Sequence, residues 1–135
     1  MTEVLLLDAG VWVATVDGED RFEPASRELI TDRRRSFGAL DLTLYEIANA
    51  VGSRRGRPRE AASVCRTLEK CCLRTIVRVD STLMETTAEV AVEHGITSYD
   101  AAYVAVARRH DWQLVSTDIK DLVSKGLAVT PDAAV

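Results

Sequence analysis

The stretch VLLLD, residues 4–8, decides how this chain folds. Four apolar residues in a row, with no polar residue between them, mark a strand buried on both faces. A strand of that kind belongs in a parallel sheet covered by helices front and back. The run ends on Asp8. Ligands of open parallel sheets bind beyond the carboxyl ends of the strands, so this carboxylate is placed where chemistry gathers.

Working outward, strands and helices alternate. The apolar segment AGVWVATV (9–16) follows Asp8, and PASRELITDRRR (24–35) places Pro24 at a helix start. FGALDL (37–42) reads as a second, weaker strand. A helix is expected from Thr43 to about Arg54, with Leu44, Ile47, Ala48 and Val51 on one stripe. REAASVCRTLEKCC (59–72) is another helix and LRTIVRV (73–79) a third strand. Asp80 or Ser81 caps a helix that runs to His94, and Gly95 closes it. TSYDAAYVAVA (97–107) opens a helix that ends near His110 and reads as buried on every side. WQLVS (112–116) is a fourth strand, DIKDLVSK (118–125) a helical turn and LAV (127–129) a short fifth strand. The expected fold is α/β: one unit over residues 1–135, with a parallel sheet of about five strands and helices on both faces.

Bulk properties narrow the function. No apolar run approaches a membrane span, and the N-terminus lacks the basic start and cleavage site of a signal peptide, which predicts a cytoplasmic protein. Cys65, Cys71 and Cys72 match no zinc spacing and read as small core side chains. A net charge of −4 argues against broad adhesion to nucleic acid. The basic residues are nevertheless clustered, at Arg33, Arg34 and Arg35 and again at Arg54, Arg55, Arg57 and Arg59. Such runs are commonly solvated faces, and the second surrounds Gly56 and Pro58 like an exposed helix-to-helix connection.

Four acids fall at comparable places. Asp8 ends the first strand and Asp118 lies just past the fourth. Glu46 is assigned to the first turn of the helix after the second strand, and Asp100 to the first turn of the helix before the fourth. Thr43 with Glu46, and Thr97 with Asp100, also spell capping boxes, so each acid has a purely structural reading beside the functional one. If both helices start at the same sheet edge, the four carboxylates converge. At ~5 Å and an effective dielectric of about 20, each like-charge pair costs on the order of 3 kcal/mol, so protons or cations must neutralise the cluster. An all-oxygen set favours a hard ion, Mg²⁺ or Mn²⁺. Carboxylate-held divalent ions suit water activation and in-line phosphodiester displacement.

LLLDAGVWVA, LTLYEIANAV and ITSYDAAYVAVARRHDWQLVSTDIKDL, in this order, resemble the PIN-domain ribonucleases, and within them the VapC toxins of bacterial toxin–antitoxin pairs. The resemblance spans nearly the whole chain. It implies Mg²⁺- or Mn²⁺-dependent endoribonuclease activity on RNA, homodimers and inhibition by a small antitoxin. By position, Asp8, Glu46, Asp100 and Asp118 match the family's acidic quartet, with Asp8, Asp100 and Asp118 as metal ligands. Asn49 and Ser116 match its polar supports. Many members carry a further acid two residues after the last of the quartet; here Lys120 stands there and Asp121 follows, to reach the metal through water or only to cap the next turn.

Two rival readings share the fold class. A phospho-acceptor signalling domain would want adjacent acids after the first strand, whereas Ala9 follows Asp8, and it leaves Glu46 and Asp100 unexplained. A non-catalytic PIN-like binding module would not need a complete quartet. Asp41, Asp80 and the Glu85/Glu89/Glu93 face read as turn and solvent residues, and His94 and His110 as helix-end residues suited to the dipole. Arg54, Arg55 and Arg57 are candidate RNA contacts, since arginines beside a metal cleft gather phosphate without a basic overall charge.

Overall fold

Successive leucines of β1 (Val4–Leu7) enter opposite cores in the computed structural model, which describes residues 3–135. Leu5 and Leu7 join Val11, Trp12, Leu29, Ile47 and Leu68 on one side. Leu6 joins Leu83, Val90, Leu114 and the apolar residues from Ala101 to Ala107 on the other. The uninterrupted apolar run is therefore explained: both faces of the strand are dry.

The sheet is parallel throughout, in the order β3-β2-β1-β4, with β2 at Ser36–Leu40, β3 at Ile76–Val77 and β4 at Gln113–Val115. α1 (Ala9–Ala14), α2 (Glu23–Thr31) and α4 (Pro58–Cys71) supply the first core, and α5 (Ser81–His94) and α6 (Ser98–His110) the second. α3 (Asp41–Ile47) follows β2 directly, and α7 (Pro131–Ala134) ends the chain. Every residue of α6 from Ala101 to Ala107 is buried, in keeping with its apolar sequence. Asp80 caps α5 by accepting the Leu83 amide at 2.9 Å, and Gly95 closes it in the left-handed region at φ 64°. Among the described residues, no helix is long and apolar enough to cross a membrane.

Four expectations need correction. Among the described residues the sheet has four strands; the fifth, LAV, is reduced to a single parallel bridge between Val129 and Val115. Gly126 at φ 72° and Pro131 at the start of α7 leave little extended chain between them, and proline offers no amide to a ladder. The third strand contracts to two residues on the sheet edge. The helix expected from Thr43 begins at Asp41, and from Ala48 to Arg54 it is wound as a π-helix. Asp41 is not idle in solvent: its carboxylate accepts the Val79 amide at 3.2 and 3.3 Å, tying the start of α3 to the end of the third strand segment.

Packing explains a glycine in β2. A Cβ at Gly38 would lie 2.7 Å from the Trp112 ring, whose other neighbour is the stacked His110 imidazole at 4.4 Å between centroids. His110 is thus a packing residue at the end of α6. His94 lies 3.1 Å from the Arg108 guanidinium.

Candidate active site

The connections fix where the acids arrive. α1 starts one residue after β1, so Asp8 stands at the carboxyl edge as the N-cap, its Oδ1 accepting the Val11 amide at 3.3 Å. α3 starts at the same edge after β2, which puts Glu46 in its second turn rather than its first. α6 leads into β4 and so runs back along the sheet, bringing its first turn, with Asp100, to that edge as well. Asp118 follows β4 and caps the π-wound turn Ile119–Val123, accepting the Asp121 amide at 3.0 Å.

A cavity of about 200 Å³ lies there, lined by Asp8, Gly10, Glu46, Asp100, Tyr103, Thr117 and Asp118 among others. All four acids singled out by sequence border it. Carboxylate oxygens of Asp100, Asp118 and Asp121 also come within 4.8 Å of one another, a grouping able to hold a metal ion. Asp121 therefore joins the cluster as well as lending its amide to Asp118.

Ser116, fully buried, links two of the acids: its hydroxyl donates to Asp8 Oδ2 and accepts the Asp118 amide at 2.9 Å. Thr97 caps α6, its hydroxyl accepting the Asp100 amide at 3.2 Å, so Asp100 belongs to a helix cap and to the cavity at once. Thr43 does not form the box expected with Glu46. Its hydroxyl accepts the Leu40 amide at 3.1 Å and meets the Tyr103 hydroxyl at 2.8 Å.

Tyr103 escaped the sequence reading. Its ring is 2% exposed, and its hydroxyl donates to Glu46 Oε1 at 2.6 Å. A tyrosine inside an apolar helix reads as core; the signal available was its position one turn after Asp100, which places the two on one face. Thr117, between Ser116 and Asp118, also escaped. A Cβ at Gly10 would overlap its hydroxyl, so Gly10 makes room for Thr117 at the cavity wall.

Burial and like charge dominate the electrostatics. Burial pushes the Asp8 carboxyl up to about 7 against the opposing hydrogen bonds of Ser116 and Val11, with Glu46 and Asp100 adding to the rise. Glu46 is raised by burial and by Asp100, with the Tyr103 hydroxyl opposing. Asp100 is raised by burial and by the charges of Asp118 and Asp121. Tyr103 is held protonated, far above its ordinary range, by burial and by Glu46. The cluster favours bound protons or a cation, as like charges at a shared site must.

The remaining sequence candidates divide. Asn49 borders an adjoining groove that shares Glu46, and Arg54 lies on that groove too. Arg55 and Arg57 face a different hollow, with Asp17 and Glu19. Arg55 pairs with Asp17 at 3.0 Å and Arg57 with Glu60 at 3.4 Å. In the earlier basic run, Arg34 and Arg35 pair with Asp32, and Arg35 also holds the Ala134 carbonyl at 2.7 Å.

The PIN-domain family model matches residues 5–123. The chain belongs to the PIN-domain family. This PIN domain is 33% identical to Ribonuclease VapC3 of Pyrobaculum aerophilum, over 94% of this chain and 98% of that protein. It is 39% identical to Exonuclease VapC9 of the same organism over 68% of each. Its fold matches the crystal structure of PAE2754 from Pyrobaculum aerophilum with a TM-score of 0.67 and 31% identity, covering 99% and 95% of the two chains. Mycobacterium tuberculosis VapC20, described as a sarcin-ricin loop cleaving toxin, shares the fold with a TM-score of 0.74 at 20% identity, covering 90% and 95%. The PIN domain thus stands among the VapC-type nucleases.

Proposed function

We propose that this PIN domain is a Mg²⁺- or Mn²⁺-dependent endoribonuclease, the toxin of a toxin–antitoxin pair, which hydrolyses RNA phosphodiester bonds. The observation that carries the reading is the convergence of Asp8, Glu46, Asp100 and Asp118 on one cavity at the carboxyl edge of the sheet. The donor set is entirely oxygen, and three of its carboxyls, Asp8, Glu46 and Asp100, are held above their ordinary range, so the residues fit a hard divalent cation. Asp100 and Asp118, with Asp121 beside them, would hold it, and Asp8 would complete the set from the cavity wall. Such an ion supplies charge neutralisation at the phosphate and an acidified water.

The chain's own residues do the rest. Tyr103 occupies Glu46 Oε1, which leaves Oε2 to take a proton from the attacking water. Ser116 fixes Asp8 relative to the backbone of Asp118, so the two acids move together. Thr117 presents a hydroxyl at the wall, suited to a phosphate oxygen. RNA is the substrate, and the partners are a small cognate antitoxin and a second copy of the chain. Support for the antitoxin comes from solved neighbours of this fold, among them a toxin–antitoxin complex from Klebsiella pneumoniae at a TM-score of 0.71.

The deciding assay is cleavage of a structured RNA with Mg²⁺, with Mn²⁺ and with EDTA, by the wild type and by Glu46→Gln. Cleavage that needs the cation and falls at least ~100-fold in the variant supports the reading. Cleavage that persists in EDTA, or that Glu46→Gln leaves intact, defeats it.

A further inference from the structure

Beside the carboxylate cavity lies a larger groove of about 560 Å³, lined by Leu42, Tyr45, Glu46, Asn49, Arg54 and Tyr99. Glu46 borders both, which sets the groove next to the acids. Two of its walls are aromatic rings that the fold does not use: Tyr45 is 81% exposed and Tyr99 63% exposed. Each stands one residue before a site acid, Tyr45 before Glu46 and Tyr99 before Asp100. Arg54 sits on the same groove, whereas Arg55 and Arg57 beside it in sequence are engaged by acids on another face. The π-wound segment Ala48–Arg54 is what carries the chain from Glu46 to that arginine. π-turns inside helices occur frequently at functional sites.

Aromatic rings, a guanidinium that pairs with no acid among the described residues, and a side-chain amide form a set with a specific complement. Bases stack on exposed aromatics whatever their sequence, guanidinium groups pair with phosphate, and an amide can both donate to and accept from a base edge. We infer that the groove holds an unpaired nucleotide next to the scissile bond of a single-stranded RNA, with its base on Tyr45 or Tyr99 and its phosphate at Arg54. This rests on the ribonuclease reading and adds to it the residues that hold the nucleotide beside the cut, Tyr45, Tyr99 and Arg54, whose rings can stack only on a base free of a duplex.

The test measures binding apart from cleavage. A fluorescein-labelled single-stranded heptaribonucleotide is titrated, with Mg²⁺ present, against an Asp8→Asn background that retains Asp100, Asp118 and Asp121. Adding Tyr45→Ala or Tyr99→Ala should weaken binding by about 5–150-fold where a base stacks, with the phenylalanine variant of the same residue close to the parent. The loss should vanish against a heptamer made abasic at the stacked position. Arg54→Ala should lower the salt slope by about one. Unchanged affinity in both alanine variants overturns the inference. So does an equal loss on intact and abasic heptamers together with a change from dimer to monomer in sedimentation, which would make the groove a contact between copies. Wild-type cleavage of the same heptamer separates the two levels. A chain that binds through its tyrosines but never cuts removes the ribonuclease reading and retains the nucleotide site. A chain that cuts with unaltered KM in both tyrosine variants removes only the groove.

Discussion

The Tyr103 hydroxyl donates to Glu46 Oε1 at 2.6 Å from a fully enclosed ring, and among the described residues it is the one side-chain donor to that carboxylate. The bond favours the ionised form of Glu46 against burial and the Asp100 charge. Tyr103→Phe should therefore raise the Glu46 pKa further. The acidic limb of the cleavage profile should move to higher pH, while stability falls by about 1–2 kcal/mol for the lost buried hydrogen bond. A pH–rate series on both proteins checks the shift; an unmoved limb would detach Glu46 from the rate.

Asp8 makes the metal-free protein sensitive to pH in a defined direction. Its carboxyl is held at about 7 in the fold against 3.8 ordinarily, so the folded chain binds the extra proton between those values. Stability should therefore be highest near the lower value and fall as pH rises toward 7, by on the order of 4 kcal/mol if Asp8 acted alone. Asp8→Asn should flatten this dependence and raise the metal-free melting temperature at pH 7 while abolishing cleavage. Mn²⁺ should restore stability to the wild type at pH 7. Melting curves across the range decide it, and a wild type that is equally stable at both ends would count against a proton held on buried Asp8 in the fold.

Two glycines separate site from scaffold. Gly10→Ala pushes on the Thr117 hydroxyl and should impair cleavage more than stability. Gly38→Ala drives a methyl into the Trp112 ring, 2.7 Å away, and should cost about 1–3 kcal/mol of stability. Thermal melts and turnover on the same two variants give a crossed pattern if both assignments hold.

The acidic cavity is also a socket for a guanidinium, whose fork of donors matches paired carboxylates. An arginine or other basic side chain of the antitoxin should lie near Asp100 and Asp118 and compete with the metal. Addition of antitoxin should raise the Mn²⁺ concentration needed for cleavage. A complex with the cavity open and the ion still bound would exclude this arrangement.

How much of this was legible in the sequence depended on whether a residue's role shows in its neighbours along the chain. VLLLD and the apolar run from Ala101 to Ala107 announce double-sided burial, and the four acids were visible because each stands near a junction between elements. Tyr103, Thr117 and Asp41 were not, because their partners, Glu46, Gly10 and Val79, lie far off in sequence. Periodicity also could not reveal the π-winding after Ile47, since Val51 packs in the core under either geometry. The short fifth strand was overestimated because three apolar residues fit a strand, while the adjoining Pro131 ends the extended chain.

The central position of β1 has a consequence for biosynthesis. Its partners are β2, made early, and β4, the last strand in chain order, and the acids come from residue 8 and from residues 46, 100, 118 and 121. A nascent chain halted before residue 113 leaves one edge of β1 bare and lacks Asp118, Asp121 and the Ser116 link to Asp8. The cluster of Asp100, Asp118 and Asp121 cannot assemble until residue 121 has left the ribosome. A shorter chain carries Asp8, Glu46 and Asp100 without the partners that gather them around one cavity.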